Sequence, residues 1–278
     1  MAWTQWEEEA PGVELKEMIY QKKYREKGGA VVRILFNRTH KMNALTNIGW
    51  NEIVNCIMHA NLDKDVAVII ISSIGDHFGV GGDMQWEAEG GLADLTFMPR
   101  FDEAVKNSLR PVIAAVKGYC IGGHNHLAYH CDFTIAADNA IFGQNGPRVA
   151  SPIHGHLVSS LAYVVGLKRA KEIWMLCRKY TPHEALQMGL INAVVPLSKL
   201  EDEVDQWCDE IMDLVPDSIS MIKQSFEAVD TYVKFTDGSI MQMISPDFFM
   251  KPATAEAHQA FFEKRKPEFW KHAKKESK

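Results

Sequence analysis

The sequence predicts an α/β fold, in which a spiral of repeated ββα units is followed by a region that contains only helices. Short, apolar, β-rich runs alternate with amphipathic stretches up to about residue 195, and no strand pattern separates the helical stretches after that point. We therefore divide the chain into an N-terminal extension (1–20), a spiral core (21–200) and a helical C-terminal region (201–278). The extension is charged and lacks periodicity, so we expect it to be partly ordered.

The elements follow in chain order. Apolar runs rich in β-branched residues predict strands at 30–37, 66–72, 111–116 and 132–136. Apolar residues at helical spacing predict helices at 47–60, 95–109, 123–130, 157–165, 202–214, 217–231 and 254–273. Strands that alternate with helices pair mainly in parallel, because each parallel connection needs a crossover. The C-terminal helices are too few to build a core of their own and need a partner surface.

Composition excludes several classes of function. The chain has 278 residues, of which 46% are hydrophobic, so it can bury a sizeable core. Its net charge is −6 and its basic residues form no run before the C-terminal tail, so we expect no nucleic-acid partner. No stretch approaches the roughly 20 apolar residues that span a bilayer, so we expect no membrane association. Five cysteines without paired spacing, and an acidic start unlike a secretory signal, predict a cytoplasmic location.

Two glycine-bearing segments, 77–83 and 117–126, carry most of the functional information. Each follows a predicted strand, so each is predicted to turn at the end of a buried strand, and the second then enters a helix. Glycine lets the backbone approach a ligand closely, and the first turn of a helix has unpaired N–H groups. Two such turns can direct two amides at one oxygen, which is the arrangement of an oxyanion hole.

With residues 136–137 and 142–144 following in order, these segments resemble the enoyl-CoA hydratase/isomerase (crotonase) superfamily. The resemblance extends over most of the chain, through 37–45, 185–191 and 263–267. It implies a crotonase-like spiral core whose C-terminal helices form a trimerisation layer, and hence a homotrimer or a hexamer built as a dimer of trimers. It also implies an acyl-CoA substrate, with coenzyme A as part of the thioester and no prosthetic group.

Carried over residue by residue, the resemblance assigns the two oxyanion amides to Gly82 and Gly123. They would hold the thioester oxygen as it becomes negative and so lower the barrier to an enolate at the neighbouring carbon. The alternative is that both glycines only form tight turns. Asp83, directly after the first turn, is expected to support the loop beside the substrate pocket.

The resemblance also implies contacts to coenzyme A. Lys41 and Ala44 match positions that contact its adenine and phosphates, and Lys264 and Lys266 match positions that contact its terminal phosphate. Cationic side chains form strong, charge-assisted hydrogen bonds with phosphates. The alternative is that these lysines are ordinary solvated surface residues.

The chain departs from the ordinary hydratases at the two positions where they carry glutamates, because His126 and Gly146 stand there. Residues 142–149, 168–174 and 263–269 instead resemble the branch that includes dihydroxynaphthoyl-CoA synthase and 2-ketocyclohexanecarboxyl-CoA hydrolase, which makes or breaks a carbon–carbon bond β to a thioester. That branch usually has an aspartate and two tyrosines where this chain has Ile153, His156, and Phe248 or Phe249.

Histidines stand near these positions. A neutral imidazole takes a proton from water near neutral pH and returns it later, and the family position of His126 makes it the candidate base, aided by His154. His156, Gly146 and Trp86 are expected in the substrate pocket, while His124 lies about 200° around the helix from His126 and cannot face the same ligand. The alternatives are buried structural histidines or a zinc site, but no cysteine or carboxylate is fixed nearby by motif, so we predict no metal.

The sequence therefore predicts hydrolytic ring opening of a cyclic β-ketoacyl-CoA, with histidine-activated water and an enolate held by the two amides. A hydratase, dehydratase or double-bond isomerase (a lyase-type activity) with histidine in place of glutamate is the alternative, since it needs the same enolate. A non-catalytic acyl-CoA-binding subunit is the third possibility.

Overall fold

The computed structural model of the protein describes residues 3–91, 100–151, 153–230 and 247–268. Ten strands lie in these ranges: β1 Glu7–Glu8, β2 Met18–Tyr24, β3 Ala30–Phe36, β4 Val66–Ser73, β5 Val112–Val116, β6 Tyr119–Ile121, β7 Phe133–Ala137, β8 Ile141–Gly143, β9 Lys179–Tyr180 and β10 Ala193–Val195. Seven of them form one sheet in the order β1-β2-β3-β4-β5-β7-β10. Pairing is antiparallel from β1 to β3 and parallel from β3 to β10, as the alternation of strands and helices predicts.

The remaining strands form a second sheet in the order β6-β8-β9. The chain passes from β5 into this sheet at Gly118, whose φ is +53° and where a Cβ would lie 2.1 Å from the Asp76 carbonyl oxygen. Only glycine fits such a close approach of two backbones. The crossing brings the segment after β4 against the segment after β5, which is where both glycine turns lie.

The helices in the described ranges are α1 Asn47–Leu62, α2 Met84–Ala88, α3 Arg100–Asn107, α4 Gly123–His130, α5 His156–Ser159, α6 Leu161–Val165, α7 Leu167–Leu176, α8 Pro182–Gln187, α9 Leu200–Met212, α10 Pro216–Asp230 and α11 Pro252–Phe262. Polar residues determine where two of these helices begin. The Thr46 hydroxyl accepts from the Ile48 amide at α1, and Thr181 and Glu184 form a capping box at α8. None of the helices that the structure describes is both long and apolar enough to cross a membrane.

Both faces of the large sheet are covered, as is usual for parallel sheets. Alternate residues of each strand point to opposite faces. Val32 packs with Trp50 of α1 and Phe101 of α3 in the larger cluster, whereas Val31 packs with Val204 of α9 in the smaller one. The strands are buried because helices lie on each side.

The predicted strands at 30–37, 66–72, 111–116 and 132–136 are confirmed by β3, β4, β5 and β7. The helix at 123–130 is confirmed with the predicted bounds, and 157–165 is helical but divided at Ser160 into α5 and α6. Most of the other helices agree with the prediction, whose residues 95–99 and 231 lie outside the described ranges.

Two expectations near the ends of the chain need correction. Strand β2 begins at Met18, inside the segment predicted as an extension, and buries Met18 and Tyr20. The helix predicted at 254–273 ends at Phe262, because Lys264 has a φ of +54° and Arg265 folds back to bind Glu256 at 2.6 Å. Residues 263–268 are not helical, and 269–273 lie outside the described ranges.

Candidate active site

The first glycine turn presents one amide away from the sheet. Leu45 and Gly82 form an isolated parallel bridge, in which the Leu45 amide donates to the Gly81 oxygen and the Asp83 amide donates to the Leu45 oxygen, each at 2.9 Å. Peptide groups alternate in direction along such a bridge. The Gly82 N–H therefore points the other way, and it donates to no residue that the structure describes.

The second glycine turn presents its amide at the start of α4. Gly123 is the first residue of that helix, so its N–H has no acceptor one turn earlier. A Cβ on Gly81 would lie 3.3 Å from the Gly123 nitrogen, so the two turns are in contact. Gly81 and Gly122 have φ values of +98° and +62°, which side chains rarely adopt. The structure thus brings two amides without partners in the described ranges to one place, as an oxyanion hole requires.

His124 fixes the geometry of both turns. Its Nδ1 accepts a hydrogen bond from the Gly81 amide at 2.9 Å, and its ring lies so close to Gly79 that a Cβ there would approach within 2.2 Å. The ring contacts Phe36 edge-on, with ring centroids 4.4 Å apart. Burial lowers the pKa of His124 to about 3, so the imidazole is neutral at physiological pH. It serves as a structural support rather than a reactive group.

Both glycine amides open on a cavity of about 500 Å³, called here the central cavity. A set of lining residues that are exposed, except for the adjacent Ala44, is called here the mouth: His40, Lys41, Met42, Ala44, Lys179, Phe261 and Phe262. A set of less exposed lining residues is called here the inner end: Trp50, Glu87, His126, Gln144, Gly146, Ile153 and Trp174. Residues 80–85 and 121–123 also line the cavity. A cavity of this volume can hold a medium-sized acyl group together with part of the larger molecule to which that group is bound.

The coenzyme A contacts expected from sequence divide into two pairs. Lys41 and Ala44 line the mouth of the central cavity. Lys264 and Lys266 are exposed and do not line it, although they closely follow the two phenylalanines at the end of α11 that do. Helix α11 therefore brings the segment that carries both lysines to the side of the mouth.

His126 lines the central cavity and is 2% exposed. Its ring centroid lies 5.0 Å from that of Trp174, and neither ring nitrogen is exposed to solvent or has a hydrogen-bond partner among the residues that the structure describes. Burial lowers its pKa to about 3, so the imidazole is neutral. A buried imidazole with two unpaired nitrogens is costly, and a ligand group that reaches it would regain a hydrogen bond.

His154 and His156 do not line the central cavity, although Ile153 does. His156 is buried with its Nε2 2.5 Å from Lys106 Nζ. Asp102, His130 and His156 each offer a metal-ligand atom within 4.8 Å of the others, but the Lys106 ammonium already supplies a cation to this group. His130 Nδ1 donates to the His126 carbonyl oxygen at 2.7 Å within α4, and the His130 ring lies 6.1 Å from that of His156 between centroids.

Asp83, Trp86 and Gly146 have different surroundings. The Asp83 carboxylate caps α2 by accepting from the Gln85 amide and pairs with Arg38 at 3.0 Å. Burial opposes its ionisation, but the hydrogen bonds from Arg38 and the α2 amides prevail and lower its pKa. Gly146 lines the central cavity near Trp174, whereas Trp86 is half-buried against the core and does not line it.

Sequence reasoning missed Glu87, whose carboxyl group lies over Gly82. A Cβ on Gly82 would come within 2.0 Å of Glu87 Oε1, and the side chain lines the central cavity. Burial first, and then the charge of Asp83, raises the pKa of Glu87 to about 7. The available signal was its spacing from Asp83, because residues four apart share one face of a helix.

Comparison with known proteins identifies the family. The family model described as "Enoyl-CoA hydratase/isomerase" matches residues 26–272. An enoyl-CoA hydratase subunit I from Geobacillus kaustophilus HTA426 is 28% identical, with a TM-score of 0.71 over 92% of this chain and 99% of that one.

Two further solved structures share the fold. An enoyl-CoA hydratase from Mycobacterium avium subsp. paratuberculosis K-10 is 24% identical, with a TM-score of 0.74. A methylmalonyl-CoA decarboxylase in complex with 2-nitronate-propionyl-CoA is 22% identical, with a TM-score of 0.81. Each match covers 92% of this chain and 99% of the other. The fold is thus the crotonase fold, and the chain belongs to the enoyl-CoA hydratase/isomerase family.

Proposed function

We propose that the protein hydrolyses a carbon–carbon bond of a cyclic β-ketoacyl-CoA and so opens its ring. The observation that carries this proposal is the placement of a neutral His126, whose ring nitrogens have no partner in the described ranges, in the same cavity as Gly82 and Gly123. The family's two-glutamate hydration cannot operate at these positions, since Gly146 has no side chain. A single neutral base combined with an enolate-stabilising hole suits attack of water on a ketone.

In the proposed reaction, His126 takes one proton from a water molecule as the oxygen adds to the ketone carbon β to the thioester. The bond between that carbon and the α carbon then breaks, and its electron pair passes into the thioester to form an enolate. The Gly82 and Gly123 amides stabilise the enolate oxygen until the α carbon is protonated. One water is consumed, and the product carries a free carboxyl group and an intact thioester.

Coenzyme A would enter at the mouth of the central cavity. Lys41 and Ala44 line that mouth, and we assign them to the adenine and phosphate end of the substrate. We assign Lys264 and Lys266 to the terminal phosphate, because they closely follow the two phenylalanines that complete the mouth. The inner end, with Trp50 and Trp174, suits an alicyclic acyl group. His154, beside Ile153, is assigned a supporting role.

The C-terminal helices are proposed to mediate assembly into a homotrimer or a dimer of trimers. Exposed apolar side chains support this assignment, including Met221 and Phe226 of α10 and Phe262 of α11, which are 64%, 74% and 53% exposed. Apolar side chains at such exposure favour burial against another surface. All five cysteines are free, which supports the proposed cytoplasmic location.

The test incubates the protein with a cyclic β-ketoacyl-CoA, such as 2-ketocyclohexanecarboxyl-CoA, and separately with an enoyl-CoA. Both reactions add one water by mass, but only ring opening creates a carboxyl group, which esterification detects. His126→Ala should abolish turnover, whereas His183→Ala, at an exposed site on α8, should not change it. Full activity of His126→Ala would refute the assignment of the base.

A second candidate is a hydratase or double-bond isomerase, and Glu87 favours it because a carboxyl group with a pKa near 7 suits proton transfer between carbons. Water addition to the enoyl-CoA, or migration of its double bond, without ring opening would establish this function. A wild-type protein that binds acyl-CoA but turns over no thioester would establish the third possibility, a non-catalytic binding subunit.

A further inference from the structure

We infer that Glu87 is a second acid–base residue of the active site, which exchanges a proton with the α carbon of the thioester held by Gly82 and Gly123. The inference rests on the proposed function only for the enolate, because ring opening, hydration and isomerisation all pass through one. It adds a proton donor beside the α carbon, so that protonation of the enolate does not depend on the imidazolium of His126.

The position of Glu87 follows from the start of α2. Asp83 caps the helix, and the Glu87 amide donates to the Asp83 carbonyl oxygen at 2.9 Å, which closes the first turn. This turn directs the side chain back over Gly82, where Oε1 lies 2.0 Å from the position of a Cβ. Gly82 is the residue whose amide faces the thioester oxygen in the proposed complex. The α carbon is bonded to the carbonyl carbon, so it lies in the same neighbourhood.

No structural role among the described residues explains why a carboxyl group stands at position 87. Nearby Asp83 binds Arg38 and caps α2, and Glu89 accepts from the Gln85 side chain at 3.2 Å. The Glu87 carboxyl group forms no hydrogen bond or ion pair with any residue in the described ranges, and the side chain lines the central cavity. A carboxyl group that lines a cleft and has a raised pKa is a candidate for a functional role.

The protonation state of Glu87 suits both directions of transfer. Its pKa of about 7 means that acid and carboxylate coexist near neutral pH, which is the condition for efficient general acid–base catalysis. Asp83 is the charged group of its own helix that acts on it. Across the central cavity, His40, Lys41 and Lys179 line the mouth and the neutral His126 lines the inner end.

Two residues account for all the proton transfers of ring opening. His126 takes one proton from water, and the other water proton stays on the new carboxyl group. Glu87 gives its proton to the α carbon as the enolate collapses, and becomes a carboxylate. The imidazolium of His126 then returns a proton to Glu87 through the solvent in the cavity, so the protein regains its starting state.

The test measures exchange of the α hydrogen of cyclohexanecarboxyl-CoA in D₂O by mass spectrometry. This saturated probe has no ketone, so it reports on the enolate step alone. Wild type should exchange the α hydrogen, and Glu87→Gln should slow the exchange by about 100-fold or more with little change in the affinity for the probe. Glu87→Asp should recover part of the rate, and Glu89→Gln is the matched control that should exchange like wild type.

The pH dependence separates a chemical role from a structural one. The exchange rate of wild type should change around pH 7, and this inflection should be absent in Glu87→Gln. Exchange at the wild-type rate in Glu87→Gln, or no exchange in wild type, would overturn the inference. Exchange that depends on Glu87 in a protein that never opens a ring would refute the proposed hydrolysis and leave the inference standing.

Discussion

Replacement of Glu87 by glutamine should stabilise the protein at high pH while it removes the proposed acid–base group. In the folded protein the pKa of Glu87 rises from 4.5 to about 7, a difference worth about 3 kcal/mol at about 1.4 kcal/mol per tenfold change in proton affinity. The folded state binds this proton more tightly than the unfolded state. The stability that Glu87 contributes is therefore complete below about pH 4.5 and is lost as the pH rises to about 7.

Glutamine has nearly the same shape and no charge, so it does not suffer this loss. We expect Glu87→Gln to gain roughly 2 to 3 kcal/mol over wild type between about pH 5 and pH 8. Urea denaturation followed by tryptophan fluorescence, at one protein concentration, measures the difference. Glu89→Gln is the control, and its stability relative to wild type should not vary in this way.

A Glu87→Gln variant that is no more stable than wild type at about pH 8 would contradict the raised pKa of Glu87. A gain in stability of the same size at about pH 5 and about pH 8 would also contradict it, because the gain would then have no connection with ionisation. Persistence of the gain at high salt is expected, since burial is the largest cause of the raised pKa.

Two further predictions concern buried polar groups. Lys223 Nζ binds Asp132 at 2.7 Å and the Val105 carbonyl oxygen at 2.9 Å. Lys223→Met should therefore lower the free energy of unfolding by about 3 to 5 kcal/mol, because it leaves the Asp132 carboxylate without its cation. A double variant that also carries Asp132→Asn should recover part of this loss, and additive losses would contradict the pairing. His124→Ala should lower the free energy of unfolding by about 3 kcal/mol and reduce activity, because it opens a cavity and leaves the Gly81 amide without its acceptor. An unchanged melting temperature would show that His124 supports neither turn.

The sequence was most informative where structure is set locally. The bounds of β3, β4 and α4 follow from apolar runs and from the glycine that precedes the helix. The end of α11 does not, because an ion pair between Arg265 and Glu256 and the left-handed conformation of Lys264 terminate it. Such contacts leave no periodic signal.

The same distinction applies to the candidate site. Gly82, Gly123, His126 and Gly146 line one cavity, as the family resemblance implied, while their chemical roles remain predictions. His156 was expected in the pocket but lies beside Lys106 behind α4, because the direction of the loop before α5 is set by tertiary packing.

Glu87 shows the opposite failure, because it lines the candidate site although no motif in the sequence indicates it. Its importance comes from the neighbouring backbone, since the carboxyl group lies against Gly82 and is shielded from water there. No side-chain pattern in the sequence encodes that environment. The charge and spacing of Asp83 and Glu87 only indicate a shared helix face.

The bridge between Leu45 and Gly82 constrains the length of the first glycine turn more strictly than it constrains the identity of most side chains there. Successive peptide groups face opposite ways in an extended segment, so a shift of one residue exchanges those that face inward for those that face outward. Deletion or insertion of a single residue between β4 and Gly82 would turn the Gly82 amide toward Leu45 and away from Gly123. Variants with altered loop length should therefore hold the anion less tightly than the natural spacing does, even where every functional side chain is retained.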